Sequence, residues 1–216
     1  MGKYVVKQGD YLSKIAKQNG FADYLTIWDH PNNAELKNKR KNPNILYPGD
    51  VLFIPDKEGK VESGATEQKH RFKVKGKPLM LRIVLKDYND KPIANAKVDL
   101  HVEGNVYPLT TDSKGKIEKE IPATAKEGKL VFTDPDTPFD EMVLKIGHLD
   151  PIEEISGWKA RLNNLGYNAG PIDDEKTEQL RSAIEEFQCD YFKDLSQVDG
   201  ECGPKTQAKL KQVYGC

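Results

Sequence analysis

The sequence predicts a multidomain α+β protein of three small modules in series: a strand–helix–helix–strand unit, an antiparallel β-sandwich and a three-helix unit. Three observations predict it. Apolar residues recur at helical spacing near both ends, as in Leu12, Ile15 and Ala16 and again in Leu180, Ala183, Ile184 and Phe187. Between them they alternate: Leu81, Ile83 and Leu85, then Val98, Leu100 and Val102, then Met142, Leu144 and Ile146. Two breaks separate these patterns, a Gly- and charge-rich stretch at 57–69 and the change of spacing near His148-Leu149-Asp150-Pro151. The expected divisions are residues 1–57, a flexible linker at 58–69, a sandwich over 70–149 and a helical tail over 150–216.

Composition excludes several classes of function. The 216 residues hold 33 Lys and Arg against 34 Asp and Glu, so the whole-chain basic signature of a nucleic-acid binder is absent. No apolar run approaches the ~18 residues of a membrane span. The start, Met1-Gly2-Lys3-Tyr4-Val5-Val6-Lys7, enters a charged strand-like segment directly, so no secretory signal peptide is expected. Val6 stands where a myristoylation motif requires Ser or Thr.

In the first module, Tyr4-Val5-Val6 reads as a strand and Gly9-Asp10 as a turn, with Asp10 expected to cap the helix that carries Leu12, Ile15 and Ala16. Gly20 ends that helix. A second helical stretch is expected around Tyr24–Trp28. The turn Tyr47-Pro48-Gly49-Asp50 then leads into the strand Val51-Leu52-Phe53-Ile54. The basic run Lys37-Asn38-Lys39-Arg40-Lys41 reads as a solvated face, and Trp28 as core.

Over residues 3–55 these strings, YVVKQGDYLSKIA and NPNILYPGDVLFIP, resemble the LysM family. The resemblance implies a shallow groove between two loops that binds N-acetylglucosamine-containing glycans, in peptidoglycan or chitin. Carried onto this chain, one loop is Gly9, Asp10, Tyr11 and Leu12, and the other is Asn44, Ile45, Leu46, Tyr47 and Pro48. Backbone amides there would bond acetamido groups while Leu and Tyr side chains pack an apolar sugar face. Tyr11 departs from the family's usual Thr, and its ring could stack on a sugar or block the groove. The segment WDHPNNAELKNKRKNPN resembles LysM modules of type VI secretion clusters, which deliver cargo without a signal peptide.

In the middle module, the turns Asn89-Asp90-Lys91-Pro92, Asp112-Ser113-Lys114-Gly115 and Asp134-Pro135-Asp136 separate the alternating strands. Here KDYNDKPIANAKVDL and TTDSKGKIEKEIP resemble immunoglobulin-like or transthyretin-like spacer domains. A rigid spacer is the expected role.

In the tail, Asp150-Pro151-Ile152-Glu153 reads as a helix start. Ile155, Trp158, Leu162 and Leu165 form one stripe ended by Gly166, and Gly203-Pro204 opens a last helix. The strings RLNNLGYNAGPID, AIEEFQ and VDGECGPKTQAKL resemble the three-helix peptidoglycan-binding domain of cell-wall hydrolases. That resemblance marks Gly166, Tyr167, Gln188, Asp199, Gly203 and Thr206 as candidate ligand contacts, with Asp199 and Thr206 equally suited to bracing their loop. The first repeat, Asp173-Asp174-Glu175-Lys176-Thr177, lacks the glycines of the second.

No catalytic constellation can be assembled. His30, His70, His101 and His148 form no HExxH pair and no zinc-ligand spacing with Cys, and no GxSxG or phosphate loop occurs. The carboxylate pairs Glu153/Glu154, Asp173/Asp174 and Glu185/Glu186 read as solvated acids on a module too small for a sugar cleft. No metal and no cofactor are expected. Cys202 and Cys216, at opposite ends of the last helix, are too far apart to bridge, and Cys189 could pair with either; reduced thiols are the expectation.

The reading that follows is a non-enzymatic adaptor of the bacterial cell wall, binding peptidoglycan glycan and its stem peptide. It would be made in the cytoplasm and act at the envelope or periplasm, or be delivered by an injection apparatus. The alternative is a structural or effector-loading part of a type VI secretion apparatus or phage tail, with spike, tail or effector proteins as partners.

Overall fold

The first module is closed by two short antiparallel strands, β1 (Gly2–Val5) and β2 (Val51–Ile54), with Val5 opposite Val51 and Lys3 opposite Phe53. The structure is a computed structural model that describes residues 2–57, 59, 63–71, 78–87, 89, 91–134 and 140–216. Between the two strands run α1 (Leu12–Gln18), a single turn α2 (Leu25–Trp28), a 3-10 turn (Pro31–Asn33) and α3 (Ala34–Arg40). Leu12, Ile15 and Ala16 of α1 pack with Val6, Ile27, Trp28, Leu36, Leu46 and Leu52 into one core. Asn33, almost fully buried, ties the middle of the module to β2: its amide donates to the Ile27 and Phe53 carbonyls and accepts from the Phe53 amide.

Two local expectations are corrected here. Asp10 does not cap α1, whose N-cap is Tyr11 without a side-chain hydrogen bond. The Asp10 carboxylate turns back instead, accepting from the Tyr4 hydroxyl at 2.7 Å, the Lys7 amide at 3.0 Å and Lys14 Nζ at 2.9 Å. The basic run is a solvated face at Lys37, Asn38, Lys39 and Lys41, all exposed, but not at Arg40. It lies on α3 and continues into Lys41, and Arg40 is buried there. Only Leu36 and Arg40 of α3 face inward, so no apolar stripe marks this helix in the sequence.

The sandwich comprises β3 (Leu79–Val84), β4 (Lys97–Val102), β5 (Asn105–Thr110), β6 (Lys116–Ile121), β7 (Glu127–Phe132) and β8 (Glu141–Lys145). Strand β3 pairs with β6, and the other four form a sheet in the order β5-β4-β7-β8, all antiparallel. The alternating residues of both sheets meet in one core around Leu85, Leu100, Ile117 and Leu130. In the Asp112–Gly115 turn, the Asp112 carboxylate accepts from the Lys114 and Lys116 amides. Gly115 is required in it: φ is +71°, and a Cβ would stand 2.3 Å from the Leu85 carbonyl oxygen. The turns at Asn89–Pro92 and Asp134–Asp136, and the linker at 58–69, include residues outside those described.

The chain forms two compact units, residues 1–148 and 149–216, so the first module and the sandwich belong to one of them. The second unit contains α4 (Ile155–Asn164), α5 (Glu178–Tyr191) and α6 (Pro204–Tyr214) around Leu162, Leu180, Ile184, Phe187 and Leu210. The helix expected to begin at Pro151 begins at Ile155. Residues 150–154 form a turn instead, with Glu154 N donating to the Pro151 carbonyl and Trp158 Nε1 to that of Ile152.

Candidate peptidoglycan-binding sites

The loop Gly9–Leu12 is held from several sides. Tyr11 is 2% exposed, and its hydroxyl lies 2.7 Å from the Ala125 carbonyl oxygen and 3.1 Å from that of Ala123, both in the sandwich. Burial foremost, with the charge of Glu103, raises its phenol well above the usual tyrosine range. The seat is made of small residues. A Cβ on Gly147, whose φ is +78°, would come within 2.5 Å of the Tyr11 ring. The His148 ring lies over Gly9, and Lys14 Nζ holds the Gly9 carbonyl at 2.8 Å. Leu12 is fully buried in the core of its own module.

The second loop is pinned from below by Arg40 and Asp50. Asp50 also accepts from the Tyr47 amide at 2.9 Å, and the Arg40 guanidinium lies 5.3 Å from the Tyr47 ring centroid. Of the residues that the LysM resemblance marks here, Asn44 is exposed and Tyr47 and Pro48 are half-buried, whereas Ile45 and Leu46 are buried. Leu12 and Leu46 therefore do not offer side chains to a sugar face; both face the core. The sequence marks both as apolar, and an apolar residue at a helix start, as Leu12, or in a loop between helix and strand, as Leu46, reads equally as groove or core.

In the second unit, Gln188 is the hub. Nearly fully buried, it donates from Nε2 to Asp199 Oδ1, the Glu201 carbonyl and Thr206 Oγ1, and accepts on Oε1 from the Asp199 and Gly200 amides. Asp199 in turn accepts from the Glu201 amide, and the Gln188 amide foremost holds its carboxyl below the usual range. Gln188 and Thr206 are spent on bracing this loop, while Asp199 is exposed, Gly203 stands half-buried as the N-cap of α6 and Gly166 is exposed. Tyr167 donates to Asp190 Oδ2 at 2.7 Å and packs edge-on against Phe187.

Sequence reasoning missed three further supports. Asn163 braces the other loop, donating to the Gly170 carbonyl and accepting from the Ala169 amide. Lys159 is fully buried and paired with Asp173, while Asp174 accepts from the Ser156 amide, so these two acids pin α4 and are not simply solvated. Arg161 is also buried, donating to the carbonyls of Asp150, Gly157 and Cys216. Burial lowers its pKa, against the opposing pull of nearby negative groups. A polar or charged residue at an inward helical position carries no apolar signal, which is why these went unseen.

Comparison with known families agrees with this division. Residues 4–22 match the LysM domain, and residues 153–210 match the peptidoglycan binding domain family. The chain thus carries a LysM domain at its N-terminus and a peptidoglycan-binding domain at its C-terminus, with a β-sandwich between them. Searches of curated proteins and of solved structures return no significant match. Both matched domains are binding domains rather than catalytic ones and support peptidoglycan binding at the cell envelope. Among the described residues no helix is long and apolar enough to cross a membrane, and no three His, Cys, Asp or Glu side chains gather where they could hold a metal ion.

Proposed function

We propose that the protein is a non-catalytic adaptor of the bacterial cell wall. The observation that carries this reading is that the two ends of one chain match two different wall-binding families. In it, the tail recognises peptidoglycan and its stem peptide through the loops at Gly166–Tyr167 and Asp199–Gly203. The first module recognises an N-acetylglucosamine-containing glycan, with Asn44, Tyr47 and Pro48 offering side chains and the Gly9–Leu12 loop its backbone. Shallow sites bind weakly one at a time, and two on one chain gain about 10²–10⁴ in avidity where both engage one polymer.

The test is a pull-down with purified peptidoglycan sacculi beside a chitin control. Enrichment on sacculi, with no release of muropeptides or reducing ends, is the expected result. Release that disappears on changing a single carboxylate would overturn the non-enzymatic reading. A second reading, a component of a contractile injection apparatus or phage tail, draws on the seating of Tyr11, which takes one sugar loop away from solvent. Retention by neither polymer, with a defined spike or tail protein bound in a reconstituted mixture, would favour it.

A further inference from the structure

We propose that Tyr11 is a latch: it holds the Gly9–Leu12 loop shut against the sandwich, so the first module binds glycan only when this contact opens. The inference rests on the sugar-binding reading of that module and adds its regulation.

The seat is built for the ring. Ala123 and Ala125 supply two carbonyl oxygens to one hydroxyl, and Ala125 is itself fully buried. Gly147 lets its backbone approach the ring where any side chain would collide, and His148 closes over Gly9. A hydroxyl has one proton to give, so the two carbonyls share it, with the shorter contact at Ala125. Two polar groups of the loop are committed as well: the Gly9 carbonyl to Lys14, and the Asp10 carboxylate to Tyr4, Lys7 and Lys14. A sugar that needs both loops finds Asn44, Tyr47 and Pro48 accessible and the opposite wall covered.

The Tyr11 ring with its shared hydrogen bond and the His148 ring over Gly9 are all noncovalent contacts, so the closed state is favoured without being irreversible. When only a fraction of molecules is open, the apparent dissociation constant is the intrinsic one divided by that fraction. Removing the latch therefore tightens binding without adding a contact to the sugar. In reverse, a multivalent glycan that captures the open form would draw the first module off the sandwich.

The test uses the full chain in three forms: unchanged, Tyr11→Thr, and Gly147→Ala, which keeps the loop's sequence and presses from the sandwich side on the Tyr11 ring and, at 3.0 Å, on the Gly9 carbonyl oxygen. Amide shifts of Ala125 and His148 report the latch, and those of 44–48 report N-acetylglucosamine oligomers in a titration. Both variants should show a released latch and bind the oligomers at least roughly tenfold tighter than the unchanged chain. Equal affinity in all three, with shifts at 44–48, would overturn the latch and leave the sugar site standing. A released latch with no oligomer binding in any form would overturn the sugar reading and the latch's role with it.

Discussion

Arg40 closes on Asp50 through two hydrogen bonds, Nε to Oδ2 at 2.8 Å and Nη2 to Oδ1 at 3.0 Å, with side chains only 1% and 4% exposed. Asp50 adds the Tyr47 amide, so one carboxylate fastens α3 to the turn before β2. Removing one partner leaves the other buried without its main counter-charge, with only Lys39 at 3.9 Å and the Tyr47 amide left to Asp50, which costs about 3–5 kcal/mol. Arg40→Ala and Asp50→Ala should each destabilise the first module by that amount, whereas the double change Arg40→Met with Asp50→Leu should cost much less. Urea unfolding followed by Trp28 fluorescence, in a Trp158→Phe background, separates these outcomes. Equal loss in single and double variants would deny the pair its role.

A second polar centre in the same module makes stability depend on pH at both ends. Burial alone would push the Asp10 carboxyl up, but hydrogen bonds from Tyr4, Lys14 and the Lys7 amide outweigh it and hold the pKa below the usual value. The stabilisation is then complete above the unfolded carboxyl value near ~4 and drains as pH falls through the lower folded value. The Tyr4 phenol is pushed up to about 12, by burial first and by its bond to Asp10 next. Its contribution is intact below the unfolded value of ~10 and is lost as pH rises through the folded value. Tyr4→Phe should remove the Tyr4 share of the alkaline limb, leaving that of the buried Tyr11, and move Asp10 upward, as read by NMR titration of its carboxyl carbon and by thermal melts against pH. An unmoved Asp10 would mean that Lys14 and the Lys7 amide carry the shift alone.

These two centres show which parts of the fold were legible in the sequence. The apolar positions of α1 and α5, the alternating strands and the Asp112–Gly115 turn follow from spacing and turn chemistry, because each is a local rule. The roles of Arg40, Lys159 and Arg161 do not, because each buries a charge whose partners are set by tertiary packing, and that of Asp10 does not, because three local donors compete for a carboxylate that turn chemistry alone would place on the helix. The candidate sites divide along the same line. The Asp199–Thr206 loop was recognisable as a motif, but that Gln188 occupies its inner polar groups is visible only in three dimensions. Tyr11 could be read as a departure, and only its seat in the sandwich decides what the ring touches.

The three cysteines are free and differ in accessibility. Cys189 is exposed on α5, while Cys202 is buried, which foremost raises its thiol to about 12. Burial raises Cys216 as well. The thiolate is the reactive form, so burial keeps Cys202 an unreactive thiol near neutral pH. A short iodoacetamide pulse read by mass spectrometry should label Cys189 first, with Cys202 protected until the second unit unfolds. Equal labelling of Cys189 and Cys202 in the native protein would show that the α6 end of this unit opens far more readily than its packing implies.

The Gln188 hub gives the sharpest separation of fold from binding. Gln188→Glu keeps the shape of the side chain but removes both Nε2 donors and sets a carboxylate against Asp199 Oδ1 and the Glu201 carbonyl. Unpaired buried acceptors and like-charge repulsion together should cost about 2–4 kcal/mol at neutral pH. The new carboxyl would bind its proton more tightly in the folded state than in the unfolded one. The deficit should therefore shrink as pH falls below that raised folded value, which is the reverse of the Asp10 trend. Gln188→Met loses these donors and also the Oε1 acceptor of the Asp199 and Gly200 amides, without adding a charge, so its deficit should lack the limb that the new carboxyl gives Gln188→Glu. Thr206→Val should cost less than either, since Nε2 keeps Asp199 and Glu201. Sacculus retention is then compared among the three variants while the unit remains folded. Retention should fall with the hub variants and survive Thr206→Val. Retention unchanged in Gln188→Glu, despite the loss of stability, would place the peptidoglycan contact elsewhere in the unit, with the Gly166–Gly170 loop braced by Asn163 as the next site to change.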